Sequence, residues 1–168
     1  ITLEVQTDKA VETELLSKLQ SITNRLKEAN KEQPATKAVE NGQIILTFSS
    51  VAAAQNAAQI IQSSEKNLIV NTQNQTVKAV FPDRISSKIK EDAVTRNVEV
   101  LRSRLNRLSV EEITIAAQGD KNIIVELPDV SDPQQAKEMI GRAAVLEFKL
   151  VQNRGKTPED ILYEIDGV

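Results

Sequence analysis

Among its 168 residues the chain has no histidine and no cysteine, and only 2% are aromatic. Each absence removes a class of chemistry. A structural zinc site of the usual kind needs thiolate or imidazole ligands. Serine or cysteine nucleophiles activated by imidazole are also excluded, and so are disulfides. Any reaction would rest on carboxylates, Lys, Arg, Ser, Thr or the single tyrosine, Tyr163. So few aromatics also leave little surface for stacking bases, sugars or cofactor rings. No run approaches the ~18 apolar residues that would span a bilayer, and no secretory h-region is present. Five glycines are scattered rather than gathered into a phosphate loop, and the net charge of -3 favours solubility without naming a partner. Absence of cysteine suits an oxidising compartment and the cytosol equally. The sequence opens on Ile1 rather than Met and reads as a piece excised from something longer.

What is present is pattern. Residues 1–6 alternate with Ile1, Leu3 and Val5 on one face, which predicts a half-buried strand. Asp8 is a candidate N-cap for a helix whose stripe is Val11, Leu15, Leu19, Ile22 and Leu26. That helix should end near Asn30, and Pro34 prevents its resumption. A weak strand over 36–40, the turn "ENG" and a strong strand over 43–48 make a hairpin. Ser50 is placed to cap a helix burying Val51, Ala54, Ala58 and Ile61, and a strand follows over 67–71. The order is βαββαβ.

The second half repeats it. Val77, Ala79 and Phe81 alternate in a strand, and Pro82-Asp83 ends that strand and opens a long helix over about 84–108. Its stripe is Ile85, Ile89, Ala93, Val98, Leu101, Leu105 and Leu108. Strands over 112–117, with Ile113 and Ile115 inward, and 122–127 flank the turn "QGDKN". Asp132, Pro133 and Gln135 then read as N-cap, N1 and N3 of a helix. Gly141 is expected to supply a positive φ just past its end, and Leu146, Phe148 and Leu150 alternate in a last strand. At an offset of 79, Ile44 aligns with Ile123, Val51 with Val130, Ala57 with Ala136, Ile61 with Ile140, and Arg25-Leu26 with Arg104-Leu105.

The reading is α+β: duplicated βαββαβ plaits of the ferredoxin-like type, each an antiparallel sheet with its helices on one face. Residues 1–72 form the first unit, 73–151 the second, and 152–168 a short remainder. One face of each sheet is left to pair with the other sheet, another domain or a partner.

Candidate sites are few. The long helix carries Arg84, Lys88, Lys90, Arg96, Arg102, Arg104 and Arg107 against Glu91, Asp92 and Glu99. A phosphate or acidic partner would suit it, but a solvated helix face with arginines toward its C-terminus is the plainer account. The βαββαβ order is shared with RNA-recognition plaits, which stack bases on sheet aromatics. Here "QIILTF" and "KNIIVEL" offer one Phe, and Phe48 shares its alternation with Ile44 and Leu46, so it belongs to the core. The pairs Asp129/Asp132 and Glu111/Glu112 mark neither an acid–base cleft nor a hard-cation site. No catalytic, cofactor or metal residue is assigned.

One resemblance is specific. "AVTRNVEVLRSRLNRLSVEE" followed by "GDKNIIVELPDVSDPQQAKEMIGRAAVLEFKLV" resembles the first large periplasmic domain of the SecD family of Sec translocase membrane subunits. Arg104, Asn106, Leu108 and Val110 match the family's Arg-x-Asn-x-Leu-Gly-Val. The run through Pro128 matches Ile-Val-Val-Glu-Leu-Pro-Gly, and Leu146, Glu147 and Phe148 match a late Leu-Glu-Phe. Ser109 and Asp129 replace two glycines of that pattern. The likeness is strong over about 83–151 and weaker back to Ile1. It implies the base of the domain, with "QNRGKTPEDILYEIDGV" falling where the family inserts a mobile head. It further implies a non-enzymatic role in late, proton-gradient-driven protein export, either holding the emerging preprotein or mounting the head that does, with SecF, the translocon channel and the unfolded preprotein as partners and no cofactor. The whole protein would be embedded in the bacterial inner membrane with this part on the periplasmic side. The family's proton-handling residues lie in membrane spans, and none falls in this chain. Residues touching the client are not specified. The alternative class is a soluble tandem regulatory or binding module, ACT-like or nucleic-acid-binding. Against the ACT form, "VAAAQ" and "DVSDP" lack the glycine-rich turns it would need.

Overall fold

The computed structural model describes residues 1–106 and 113–127 together with Gln134, Glu138, Ile140 and Gly141. In chain order the elements are β1 (Thr2–Glu4), α1 (Thr7–Glu28), β2 (Thr36–Glu40), β3 (Gln43–Thr47), α2 (Val51–Ser64), β4 (Ile69–Gln73), β5 (Thr76–Val80), α3 (Asp83–Asn106), β6 (Thr114–Gln118) and β7 (Asn122–Glu126). This is the α+β class, with antiparallel sheets and packed helices. The helix start at Asp132-Pro133, the strand over 146–150, the residues Leu108, Arg107, Ser109 and Asp129, the pair Glu111/Glu112 and the remainder 152–168 lie outside the described residues.

The α1 stripe is the expected one: Val11, Leu15, Leu19, Ile22 and Leu26 are all buried. They meet Ile44, Leu46, Phe48, Val77 and Ala79 from the sheet, and Ala54, Ala57, Ala58 and Ile61 from α2, in one core. Burying each large aliphatic side chain there contributes about 1.5–3 kcal/mol. Because Ile44, Leu46, Val77 and Ala79 all lie on one side of their strands, α1 and α2 share one face of the sheet. A second core joins Val94, Leu101 and Leu105 of α3 to Ile115, Ile123 and Val125.

Strand exchange is the feature that the sequence pattern does not reveal. A self-contained βαββαβ unit holds its first strand between its third and fourth. Here the sheets are β2-β3-β5-β4 and β1-β7-β6. β5 fills the place expected for β1, and β1 crosses to lie beside β7, with Leu3 opposite Ile123. Alternation specifies which face of a strand is buried but not which neighbour it pairs with. The duplicated units present equivalent docking strands, since Ile44 of β3 and Ile123 of β7 are both fully buried. Either edge therefore suits either strand. Each sheet thus includes one strand from the other half of the chain.

Several local expectations are corrected. α1 begins at Thr7 with Gln6 in the cap position and no side-chain cap, and Asp8 sits in the first turn, where its charge suits the helix dipole. Ser50 does cap α2, accepting from the Ala53 N–H at 3.1 Å. Val51, however, is 46% exposed while Ala57 is buried, because periodicity gives direction and not reach in a first turn. β4 starts two residues later than expected, since Glu65 and Leu68 close a turn with a 3.0 Å main-chain bond. Gly141 is itself helical and has no positive φ, so it does not form the expected left-handed cap. Among the described residues positive φ occurs instead at Asn30 after α1, at Asn41 and Gly42, the tip of the β2–β3 hairpin, and at Asn74 and Gly119.

Candidate functional site

The helices cover one face of the four-stranded sheet and leave the other open. Register places Thr36, Thr47, Thr76 and Gln73 in one row across that open face, and Ala38, Ile45, Lys78 and Asn71 in the next. A third row runs Glu40, Gln43, Val80 and Ile69. The surface is therefore small, rich in hydroxyl and amide groups, with a narrow aliphatic strip, one lysine (Lys78) and one glutamate (Glu40) at its edge.

The two outer strands of this sheet differ. β2 carries Lys37 and Glu40, charges of the kind that guard an edge against added strands. β4 reads Ile-Val-Asn-Thr-Gln and continues into Asn74-Gln75 with no charge and no proline. The Phe48 N–H donates to the Gln75 carbonyl at 2.9 Å, so in β5 residues 75, 77 and 79 face β3. Thr76, Lys78 and Val80 then bond to Gln73, Asn71 and Ile69, which stand directly opposite. The main-chain groups of Val70 and Thr72 accordingly point outward. One of them is lightly covered: the Val70 carbonyl accepts from Gln62 Nε2 at 3.5 Å.

Where α1 and α3 cross, Asp8 meets Lys90 at 2.6 Å and Lys121 meets Glu4 at 2.6 Å. The Lys90 hydrogen bond and charge hold the Asp8 carboxyl below its ordinary value of 3.8. The Glu4 hydrogen bond and charge raise Lys121 above 10.5. Thr7, Asp8, Lys90, Val94, Gly119 and Lys121 line a cleft of about 740 Å³ there. Both of its lysines are already held in ion pairs, Lys90 by Asp8 and Lys121 by Glu4, and no buried side-chain nitrogen or oxygen among the described residues lacks a partner.

The basic residues of α3 do not form one patch. Lys88 is held by Asp92 at 2.9 Å and Glu91 at 3.6 Å, which raise its pKa above 10.5, and Lys90 is held by Asp8. Arg84, Arg96 and Arg102 are exposed among Glu91 and Glu99, whereas Arg104 lines a separate cleft of about 530 Å³. Phe48 is 2% exposed and belongs to the core, so it offers no face for a base to stack on. Among the described residues, no group of three acidic, histidine or cysteine side chains could hold a metal, and no helix is long and apolar enough to cross a membrane. Sequence reasoning did not single out β4. The signal available was the uncharged run "NTQNQT" in a chain that is 27% charged.

The arrangement is that of an α+β plait domain with polar open surfaces and no assembled reaction centre among the described residues. Residues 94–153 match the family described as protein translocase subunit SecDF, P1 domain, N-terminal. The chain is 31% identical over 150 residues to the protein translocase subunit SecD of Escherichia coli (strain K12), covering 89% of this chain and 24% of that protein. Against SecD of Desulfurispirillum indicum it is 32% identical over 161 residues, 94% of this chain and 30% of the relative. Against SecD of Dictyoglomus turgidum it is 47% identical over 70 residues, 42% and 17% respectively. No solved structure matches. By these matches the chain is similar to a SecD P1 domain, and it spans about a quarter of the first of those relatives.

Proposed function

We propose that this chain is the periplasmic portion of a SecD-like component of the Sec protein translocase, and that it assists late export by holding the emerging preprotein. The reading that residues 152–168 begin an inserted head, and that 1–72 and 73–151 are the units of the base, belongs to the same proposal. The observation that carries it is a P1-type match together with a sheet that leaves an uncharged edge and a polar face uncovered. A chain in transit is extended, varied in sequence and in motion. Main-chain hydrogen bonding along a strand holds such a ligand weakly and without regard to its side chains. The work requires no catalysis and no cofactor, consistent with a chain lacking histidine and cysteine. SecF and the translocon channel are the proposed partners, and proton flow would be handled by parts of the protein beyond this domain.

The test is site-specific photo-crosslinking in the full-length protein, with a secretory preprotein stalled in transit. Probes at Lys37, Ile45, Asn71 and Gln73 sample both edges and the open face of the four-stranded sheet. Adducts with the preprotein at any of them support holding. None at all would leave the domain as a mount only.

A further inference from the structure

The outer edge of β4 offers main-chain groups without a charged guard, and we infer that it is a strand-docking edge for an extended polypeptide segment, with Gln62 as its displaceable cover. The inference rests on the proposed function and narrows it to one strand.

Three observations converge. First, Val70 and Thr72 turn their N–H and C=O groups away from β5, and no described strand takes them. An added strand would find donors and acceptors at two-residue spacing, the repeat of an extended chain. Second, residues 69–75 contain no charge and no proline, the two commonest edge guards. A neutral edge does not select among the charges of its ligand, whereas Lys37 and Glu40 on β2 would. Third, the contact from Gln62 Nε2 to the Val70 carbonyl is long at 3.5 Å. A bond of that length satisfies the acceptor only weakly when the edge is empty and is readily given up.

The size of the edge decides between a passing chain and a second copy of this domain. Five strand residues present a strip of about 16 Å. Such a strip buries a few hundred Å² at most, on the order of a quarter of the ~1,200–2,000 Å² of a stable protein interface. The edge therefore fits a short, transient ligand.

Proline at Thr72 removes an outward N–H and no bond of the β4–β5 ladder, so the sheet should survive it. In the full-length protein with a stalled preprotein, adducts are expected at Asn71 and Gln73. Thr72→Pro should lower their yield about fivefold to tenfold, and Gln62→Ala should raise it. A thermal melt of each purified variant confirms folding, and Gln62→Ala, on an exposed helix position, keeps the test decisive if Thr72→Pro destabilises the sheet. Adducts at Lys37 or Ile45 but not on β4 overturn this inference and leave the proposed function standing. Adducts nowhere overturn both. Adducts on β4 that ignore both substitutions, or that join two copies of the protein, overturn the docking edge.

Discussion

The Glu65 carboxylate, buried at the end of α2, accepts from Lys18 Nζ of α1 at 2.8 Å. Its second oxygen accepts from Ser21 Oγ, one turn along the same helix, at 2.9 Å. The Glu65 side chain is 8% exposed and that of Lys18 28%, so the pair is shielded on one side only. This three-residue link ties the C-terminal end of α2 to the middle of α1. Lys18→Met leaves a buried carboxylate with one partner, and is expected to cost about 1–3 kcal/mol. Ser21→Ala should cost about 1 kcal/mol. Urea denaturation of the three proteins checks the order; equal stability of Lys18→Met and the parent would show that the link contributes nothing.

The exchange of β1 and β5 has a direct covalent test. Thr2 and Ile124 stand opposite each other, and the Val5–Lys121 and Ile1–Val125 main-chain bonds place them at a non-hydrogen-bonded pair, where side chains are closest. Thr2→Cys with Ile124→Cys should form a disulfide under mild oxidation. Thr2→Cys with Ile45→Cys, which would be near neighbours if β1 stayed in its own half, should remain reduced. The reverse outcome, read by mass after alkylation, would return β1 to the first sheet.

Acid sensitivity at the helix crossing follows from Asp8. A carboxyl whose folded pKa is depressed adds stability above its unfolded pKa, and that stability is lost as pH falls through the folded value. Asp8 lies below 3.8 because of Lys90, so its contribution is complete at neutral pH and disappears only in acid. Carbon-detected NMR titration should give an Asp8 midpoint below 3.8, moving upward in Lys90→Met. With no histidine in the chain, the unfolding midpoint should be nearly flat between about pH 6 and 8.

Two glycines should respond oppositely to alanine. Gly42 holds φ +72 at the β2–β3 turn, so Gly42→Ala is expected to cost about 1–2 kcal/mol, although nothing lies within 4 Å of the added carbon. Gly141 is helical with equally open surroundings, and Gly141→Ala should gain about 0.5–1 kcal/mol. Thermal melts of the two variants decide it. A loss at Gly141 would mean that its helical state is not what sets its stability.

The sequence by itself determined most of the local structure. Apolar spacing in α1 named every buried apolar residue of that helix, though not the buried Thr7 at its start, since a helix stripe is a property of adjacent turns. The capped start at Ser50, the hairpin tip at Asn41-Gly42 and the core place of Phe48 were legible for the same reason: each is decided within a few residues. The P1-type motifs between Arg104 and Pro128 were legible as well. Tertiary structure alone decided which strand lies beside which. β1 and β5 have the same alternation and face equivalent partners in β3 and β7, so nothing local separates the exchanged arrangement from the simple one. It also decided that Asp8 would pair with Lys90 rather than cap its own helix, because that partner lies on another helix. The outward turn of Val70 and Thr72 belongs to the same class, since an edge exists only once the neighbours of a strand have been chosen.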